Sequence, residues 1–149
     1  MFIRQTPDMG ITSFRGLNLC LFGAKQENMT LNAIIVEDEK ISQEILQNYL
    51  QKYCPKVKVT AVESNITEAY SALQNHPCDL LFLDVEMPYG NAFDLLDKIE
   101  NPSFQTVFVT AYQQYAIDAL NAHAAYYLLK PISIDELIKA VHYVEEIIT

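Results

Sequence analysis

Residues 79–84 read DLLFLD, four consecutive large apolar residues closed by an acid. A run with no polar alternation is what a strand buried on both faces requires, as in a parallel sheet covered by helices on either side. Three more stretches share this shape, an apolar run that meets a polar group at its carboxyl end. LNAIIV (31–36) is followed at once by Glu37, Asp38 and Glu39; QTVFVT (105–110) ends in Thr110; AYYLLK (125–130) ends in Lys130. VKVTAV (57–62) alternates and is rich in valine, the pattern of a fifth strand.

Helical periodicity fills the gaps. ISQEILQNYLQKY (41–53) repeats apolar residues at Ile41, Ile45, Leu46, Tyr49 and Leu50, one helix face, and Cys54-Pro55 stops it. Asn65 or Thr67 caps a second helix bearing Ile66, Ala69, Tyr70 and Leu73, which ends near His76-Pro77. Met87-Pro88-Tyr89-Gly90-Asn91 reads as a loop, after which Phe93, Leu95, Leu96 and Ile99 mark a third helix ending before Pro102. A weaker helix covers about 113–121. The last is capped by Ser133, with Glu136 completing a capping box, and carries Leu137, Ile138, Val141, Val144 and Ile148. Five strands alternating with five helices predict an α/β protein: a flavodoxin-like (βα)5 doubly wound parallel sheet with strand order 2-1-3-4-5.

In that order the first and third strands are neighbours at the point where strand order reverses, and ligands of such sheets bind there, outside the carboxyl ends. Glu37 and Asp38 end the first strand and Asp84 the third, so three carboxylates converge. Each disfavours ionisation of the next, and a hard cation relieves the repulsion. Mg2+ suits such a site, since it takes one or two carboxylates, waters and phosphate oxygens. Asp84, held at the end of a buried strand, is the candidate nucleophile, because carboxylates form acyl-phosphate intermediates. Pro131 restricts Lys130 to extended backbone and permits a cis bond, which poses the ammonium for Asp84 or a phosphoryl oxygen. Thr110 is a further hydrogen-bond donor for that oxygen. The bland reading of any one acid, as a strand-end solvating group, fits poorly when three share adjacent strand ends.

Composition narrows the partners. The chain has 149 residues, half of them hydrophobic and 19% charged, enough for one folded domain with a substantial core. Its formal net charge is -9; from Met29 onward seven lysines face seventeen acids, and both arginines lie earlier. Such a surface repels nucleic acid, so no direct nucleic-acid binding is expected. Cys20, Cys54 and Cys78 are scattered and odd in number, which predicts reduced thiols and a cytoplasmic setting. No apolar run approaches the roughly 18–20 residues that span a bilayer, so no membrane partner is expected. Residues 1–28 lack periodicity, hold Gly10, Gly16 and Gly23, and read as a flexible leader or an over-extended start; 29–149 is the domain. His76, His123 and His142 have no ligand spacing and read as solvated or packing residues.

Taken together, VEDE, LLFLDVEMP, VFVTAY and YYLLKP resemble a response-regulator receiver domain, the phosphoacceptor half of two-component signalling, over about residues 29–148. TAYQQYAIDAL and NAHAAYYLLKP are most similar to the receivers of LytTR-type regulators. The resemblance implies that Asp84 accepts a phosphoryl group from a sensor histidine kinase. It implies Mg2+ on Glu37, Asp38, Asp84 and the backbone carbonyl of Glu86, and phosphoryl contacts from Thr110 and Lys130. Tyr127 matches the aromatic switch position, and a homodimer through the helix 4–strand 5–helix 5 face is a candidate assembly. No enzyme activity is implied beyond Mg-dependent self-phosphorylation and slow autodephosphorylation. Three positions depart from the family pattern: Glu37 for an aspartate, Ala92 for a glycine after the MP loop, and Tyr126 for an aspartate. The rival readings are an unphosphorylated pseudo-receiver that binds protein, and a Mg-dependent aspartyl-phosphate phosphatase of the haloacid-dehalogenase type. The latter places its aspartate on the first strand, in a different motif.

Overall fold

A computed structural model describes residues 29–88 and 90–148. The leader expected over residues 1–28 lies outside the described residues. Within Leu31–Ile148, one compact unit, five strands form the main sheet: β1 (Leu31–Val36), β2 (Val57–Glu63), β3 (Leu80–Leu83), β4 (Gln105–Thr110) and β5 (Tyr126–Leu129). Their order is β2-β1-β3-β4-β5 and every pairing is parallel, as the sequence predicts. The helices are α1 (Lys40–Tyr53), α2 (Ile66–Asn75), α3 (Ala92–Asp97), α4 (Ala116–Asn121) and α5 (Ile134–Ile148).

The apolar runs work as the two-sided burial argument requires. Ile34, Val36, Leu81, Leu83 and Phe108 pack in one core with Ile66, Ala69 and Ala72 of α2 and Ala92 and Leu95 of α3. Alternate strand residues point the other way, and Leu31, Ala33, Ile35, Leu80, Phe82 and Val107 are equally buried. Leu46 and Leu50 of α1 and Leu137, Ala140, Val141 and Val144 of α5 are buried as well. Phe82 and Phe108 are the largest fully buried side chains, each contributing about 1.5–3 kcal/mol of burial by the usual transfer scale.

Local departures have local causes. On α1, Ile41 and Ile45 are 69% and 41% exposed, and the buried position one turn before Leu46 belongs to Gln43. On α5, Ile138 and Ile148 are exposed while Ala140 is buried, and on α2 Tyr70 is exposed. Asn65 is the α2 cap, accepting from Glu68 N at 2.9 Å. Ser133 Oγ accepts from Glu136 N at 3.3 Å, while the Glu136 carboxylate serves Tyr126 and Lys139. The expected loop after β3 contains a two-residue antiparallel ladder, Glu86–Met87 with Gly90–Asn91. The expected fourth helix is a 3-10 turn, Gln113–Tyr115, running into α4.

Candidate functional site

Register brings the strand-end groups together. Val36 is paired with Leu83 across β1 and β3, so the next residues, Glu37 and Asp84, leave the sheet side by side. Asp84 N donates to Val36 O at 3.1 Å and Glu37 N to Glu63 O at 2.9 Å, which clips three strand ends in place. On the other side Lys130 N donates to Thr110 O at 2.9 Å, joining the ends of β4 and β5. The Lys130–Pro131 peptide is cis.

Lys130 Nζ then bridges the two nearest acids, 2.6 Å from Glu37 Oε1 and 2.9 Å from Asp84 Oδ2. Both carboxylates are buried, whereas Asp38 is exposed at the rim. Carboxylate oxygens of Glu37, Asp38 and Asp84 all lie within 4.8 Å of one another. Glu37 Oε2 also accepts from Glu39 N at 3.1 Å. The second oxygen of Asp84, Oδ1, is buried with no hydrogen-bond partner. A buried anionic oxygen without a partner is costly and calls for a ligand.

The electrostatics follow from two buried acids sharing one ammonium. Burial is the largest influence on Glu37 and, with the Asp84 charge, outweighs the hydrogen bond from Lys130, so its carboxyl is pushed up to about 7. Burial works against the Lys130 ammonium, but its hydrogen bonds to Glu37 and Asp84 prevail and its pKa is raised. One ammonium thus faces three clustered acids. Carboxylate oxygens at this spacing, with an unpartnered one among them, fit a hard divalent cation such as Mg2+.

Thr110 is fully buried, and its Oγ1 accepts from Tyr112 N at 3.3 Å, holding the segment after β4. Tyr127 Oη donates to the carbonyl of Tyr112 in the same segment, and its ring lies 6.1 Å from that of Phe108. Tyr115 Oη donates to Glu86 Oε2 at 2.7 Å, tying the start of the β3–α3 loop to the 3-10 turn. Glu37, Asp38, Asp84 and Lys130 therefore meet in one cluster, while Thr110 and Tyr127 both engage Tyr112 in the segment after β4. Glu86, named for its carbonyl, is found with its side chain engaged by Tyr115.

The three departures are accommodated. The extra methylene of Glu37 carries its carboxylate to Lys130. Ala92 is fully buried as the first residue of α3, and the left-handed residue of this loop is Gly90 (φ 143°). Asn91 and Asp94 form a reciprocal capping box there. Tyr126 packs its ring 6.1 Å from Tyr143. Sequence reading missed Gln43, whose Nε2 donates to Glu37 O at 2.5 Å and Ser64 Oγ at 3.2 Å. A polar residue interrupting an apolar helix face, six residues after an acid, is the signal that was there to find it.

Known proteins agree with this architecture. The response regulator receiver domain model matches residues 33–142. An uncharacterized response regulatory protein of Yersinia pestis is 40% identical over 110 residues, 73% of this chain and 46% of that protein. The sensory transduction protein LytT of Enterococcus faecalis is 33% identical over 113 residues, 74% of this chain and 46% of that protein. The chain thus spans about half the length of the curated relatives it matches. The response regulatory domain of mrkE from Klebsiella pneumoniae superposes with a TM-score of 0.72 at 24% identity, covering 78% of this chain and 97% of that one. With a matching model over most of its length, relatives that include LytT, and a five-stranded sheet in the expected order, the chain belongs to the response regulator receiver domain family of two-component systems.

Proposed function

We propose that Asp84 is a phosphoacceptor, phosphorylated by a sensor histidine kinase with Mg2+. The observation that carries this reading is the buried, unpartnered Oδ1 of Asp84 beside two further acids and a lysine. Glu37, Asp38, Asp84 and the Glu86 carbonyl would hold the ion. Bound there, Mg2+ supplies positive charge for the equatorial oxygens of the transferring group.

The protein's own groups supply the rest. An Asp84 carboxylate oxygen attacks phosphorus as the bond from phosphorus to the donor breaks, and the donor leaves with that electron pair. Lys130, released from part of its contact with Asp84, neutralises a phosphoryl oxygen. Thr110 Oγ1 exchanges the Tyr112 N–H for a phosphoryl oxygen, to which its hydroxyl donates. That exchange moves the segment after β4, which also carries the carbonyl bound by Tyr127. Local charge change biasing a two-state element is the general logic of such switches. The chain turns over nothing but its own aspartyl phosphate, so it is not otherwise an enzyme.

Two surfaces support the partners. Beside Lys130 a cavity of about 380 Å³ is lined by Ile45, Leu46, Tyr49, Val109, Pro131 and Ile132, which suits an apolar segment of a kinase delivering its phosphohistidine. Ile117 and Leu120 of α4, 68% and 69% exposed, with Leu129 of β5 and Ile138 of α5 also exposed, suit a homodimer through the α4–β5–α5 face. The acidic surface disfavours direct binding to nucleic acid. Among the described residues no helix is long and apolar enough to cross a membrane; a cytoplasmic setting fits the scattered thiols.

The test is phosphorylation by a small acyl-phosphate donor with Mg2+, followed by intact mass. Wild type gains one phosphoryl group and Asp84→Asn gains none. A mass shift that persists in Asp84→Asn removes Asp84 as the acceptor.

A further inference from the structure

We infer that Gln43 is a positioning residue for the metal-binding acids, acting through the peptide that links Glu37 to Asp38. The inference rests on the phosphoacceptor reading above. Among the described residues Gln43 is one of five buried polar or charged ones, and the other four do not lie on α1. It occupies a place where apolar packing would serve the helix face, next in line with Leu46 and Leu50. Burying an amide is unfavourable unless its groups are hydrogen-bonded, and here Nε2 meets the Glu37 carbonyl at 2.5 Å and Ser64 Oγ at 3.2 Å.

The consequence concerns Asp38. Among the described residues no side chain holds the exposed Asp38 carboxylate, so its reach toward Asp84 depends on how the backbone presents it. Glu37 N is anchored to Glu63 O, and Glu37 Oε2 and Oε1 to Glu39 N and Lys130. The Glu37 carbonyl lies in the same peptide plane as the Asp38 N–H, and Gln43 Nε2 holds that carbonyl. Ser64, just past the end of β2, makes the strap span β1, α1 and β2. Loss of the strap lets the peptide rotate and swings Asp38 away from Asp84 without disturbing the sheet below.

Gln43→Met keeps length and apolar packing and removes the donor. Mg2+ binding to the unphosphorylated protein is measured by calorimetry, with phosphorylation rate followed against Mg2+ concentration and thermal unfolding in parallel. The expected result is about a tenfold weaker Mg2+ affinity, the low end for outer partners of metal ligands, with the rate returning close to wild type at saturating Mg2+. Ser64→Ala, which leaves the Glu37 contact, changes affinity little. Unaltered Mg2+ affinity in a folded Gln43→Met, even with lower thermal stability, overturns the inference and leaves Gln43 a packing residue. Equal loss in Ser64→Ala also overturns it. In the wild type the Gln43 side-chain amide resonances should shift during Mg2+ titration with the midpoint of the Asp38 amide, which holds the test open if Gln43→Met fails to fold; resonances that stay fixed overturn the inference. A wild type that neither binds Mg2+ nor is phosphorylated removes the phosphoacceptor reading and this inference together, whereas a competent wild type matched by Gln43→Met removes only this inference.

Discussion

Lys130 Nζ sits 2.9 Å from Asp84 Oδ2, yet the other oxygen of the same carboxylate has no partner at all. One lysine therefore stabilises half of Asp84 and all of one Glu37 oxygen, and the acid cluster stays short of positive charge. Several consequences can be measured.

Lys130→Ala removes the ammonium from two buried carboxylates. Breaking a buried ion pair by deleting one partner costs about 3–5 kcal/mol, partly relieved here because Glu37 titrates near neutrality. Urea denaturation without Mg2+ should show a loss of about 3 kcal/mol at pH 8, and smaller at pH 5, where Glu37 is protonated. An unchanged midpoint at pH 8 would mean the bridge is not formed in solution.

Glu37 also sets a pH dependence in the metal-free wild type. Its folded pKa, about 7, lies above the ordinary value of 4.5, so between these pH values the native state binds more protons than the unfolded state. Stability falls with pH wherever that holds. This group's contribution therefore declines from pH 4.5 through about 7 and then levels off. Lys130, with its pKa raised above 10.5, adds stability that is lost only at higher pH and does not mask the effect. Glu37→Gln should flatten the slope in denaturation curves collected from pH 5 to 8; a slope that is identical in Glu37→Gln assigns it to other groups.

Mg2+ should act on the same deficit. Binding to the native state alone stabilises by RT ln(1 + [L]/Kd), about 1.4 kcal/mol at ten times Kd. Thermal unfolding with and without Mg2+ should show this gain in wild type, and Asp38→Asn and Asp84→Asn should each lose most of it. An equal gain in Asp84→Asn would place the ion elsewhere.

Much of this site was legible because burial and chemistry coincide at strand ends. DLLFLD has no polar residue between Asp79 and Asp84, so a two-sided strand and the acid that closes it are written in the same six letters. The parallel order then places Glu37 beside Asp84 with no further information. What was not legible depends on which face a side chain ultimately takes. Ile41 and Ile45 satisfy helical spacing, but they are exposed, and the buried residues of α1 are Gln43, Leu46 and Leu50. Gln43 was passed over because its burial depends on two acceptors, Glu37 O and Ser64 Oγ, brought close only by the folded backbone. The ladder in 86–91 hid behind Pro88 and Gly90, residues that mark a turn without revealing that its flanks pair.

Tyr127→Phe isolates the link from the site to the surface. The phenol donates to the Tyr112 carbonyl, while Tyr112 N donates to Thr110, so the segment after β4 is held by one bond from the site and one from the switch position. Removing the hydroxyl keeps the ring against Phe108 and deletes a single hydrogen bond, a loss of about 1 kcal/mol. The acids and Lys130 are untouched, so phosphorylation at Asp84 should proceed at the wild-type rate. Amide hydrogen exchange across 111–116 should be faster in the unphosphorylated variant than in wild type. The change in exchange on phosphorylation should shrink, because part of the restraint is already gone. If exchange in 111–116 is the same in both proteins, the Tyr127–Tyr112 bond does not restrain this segment, and coupling must run through Thr110 alone.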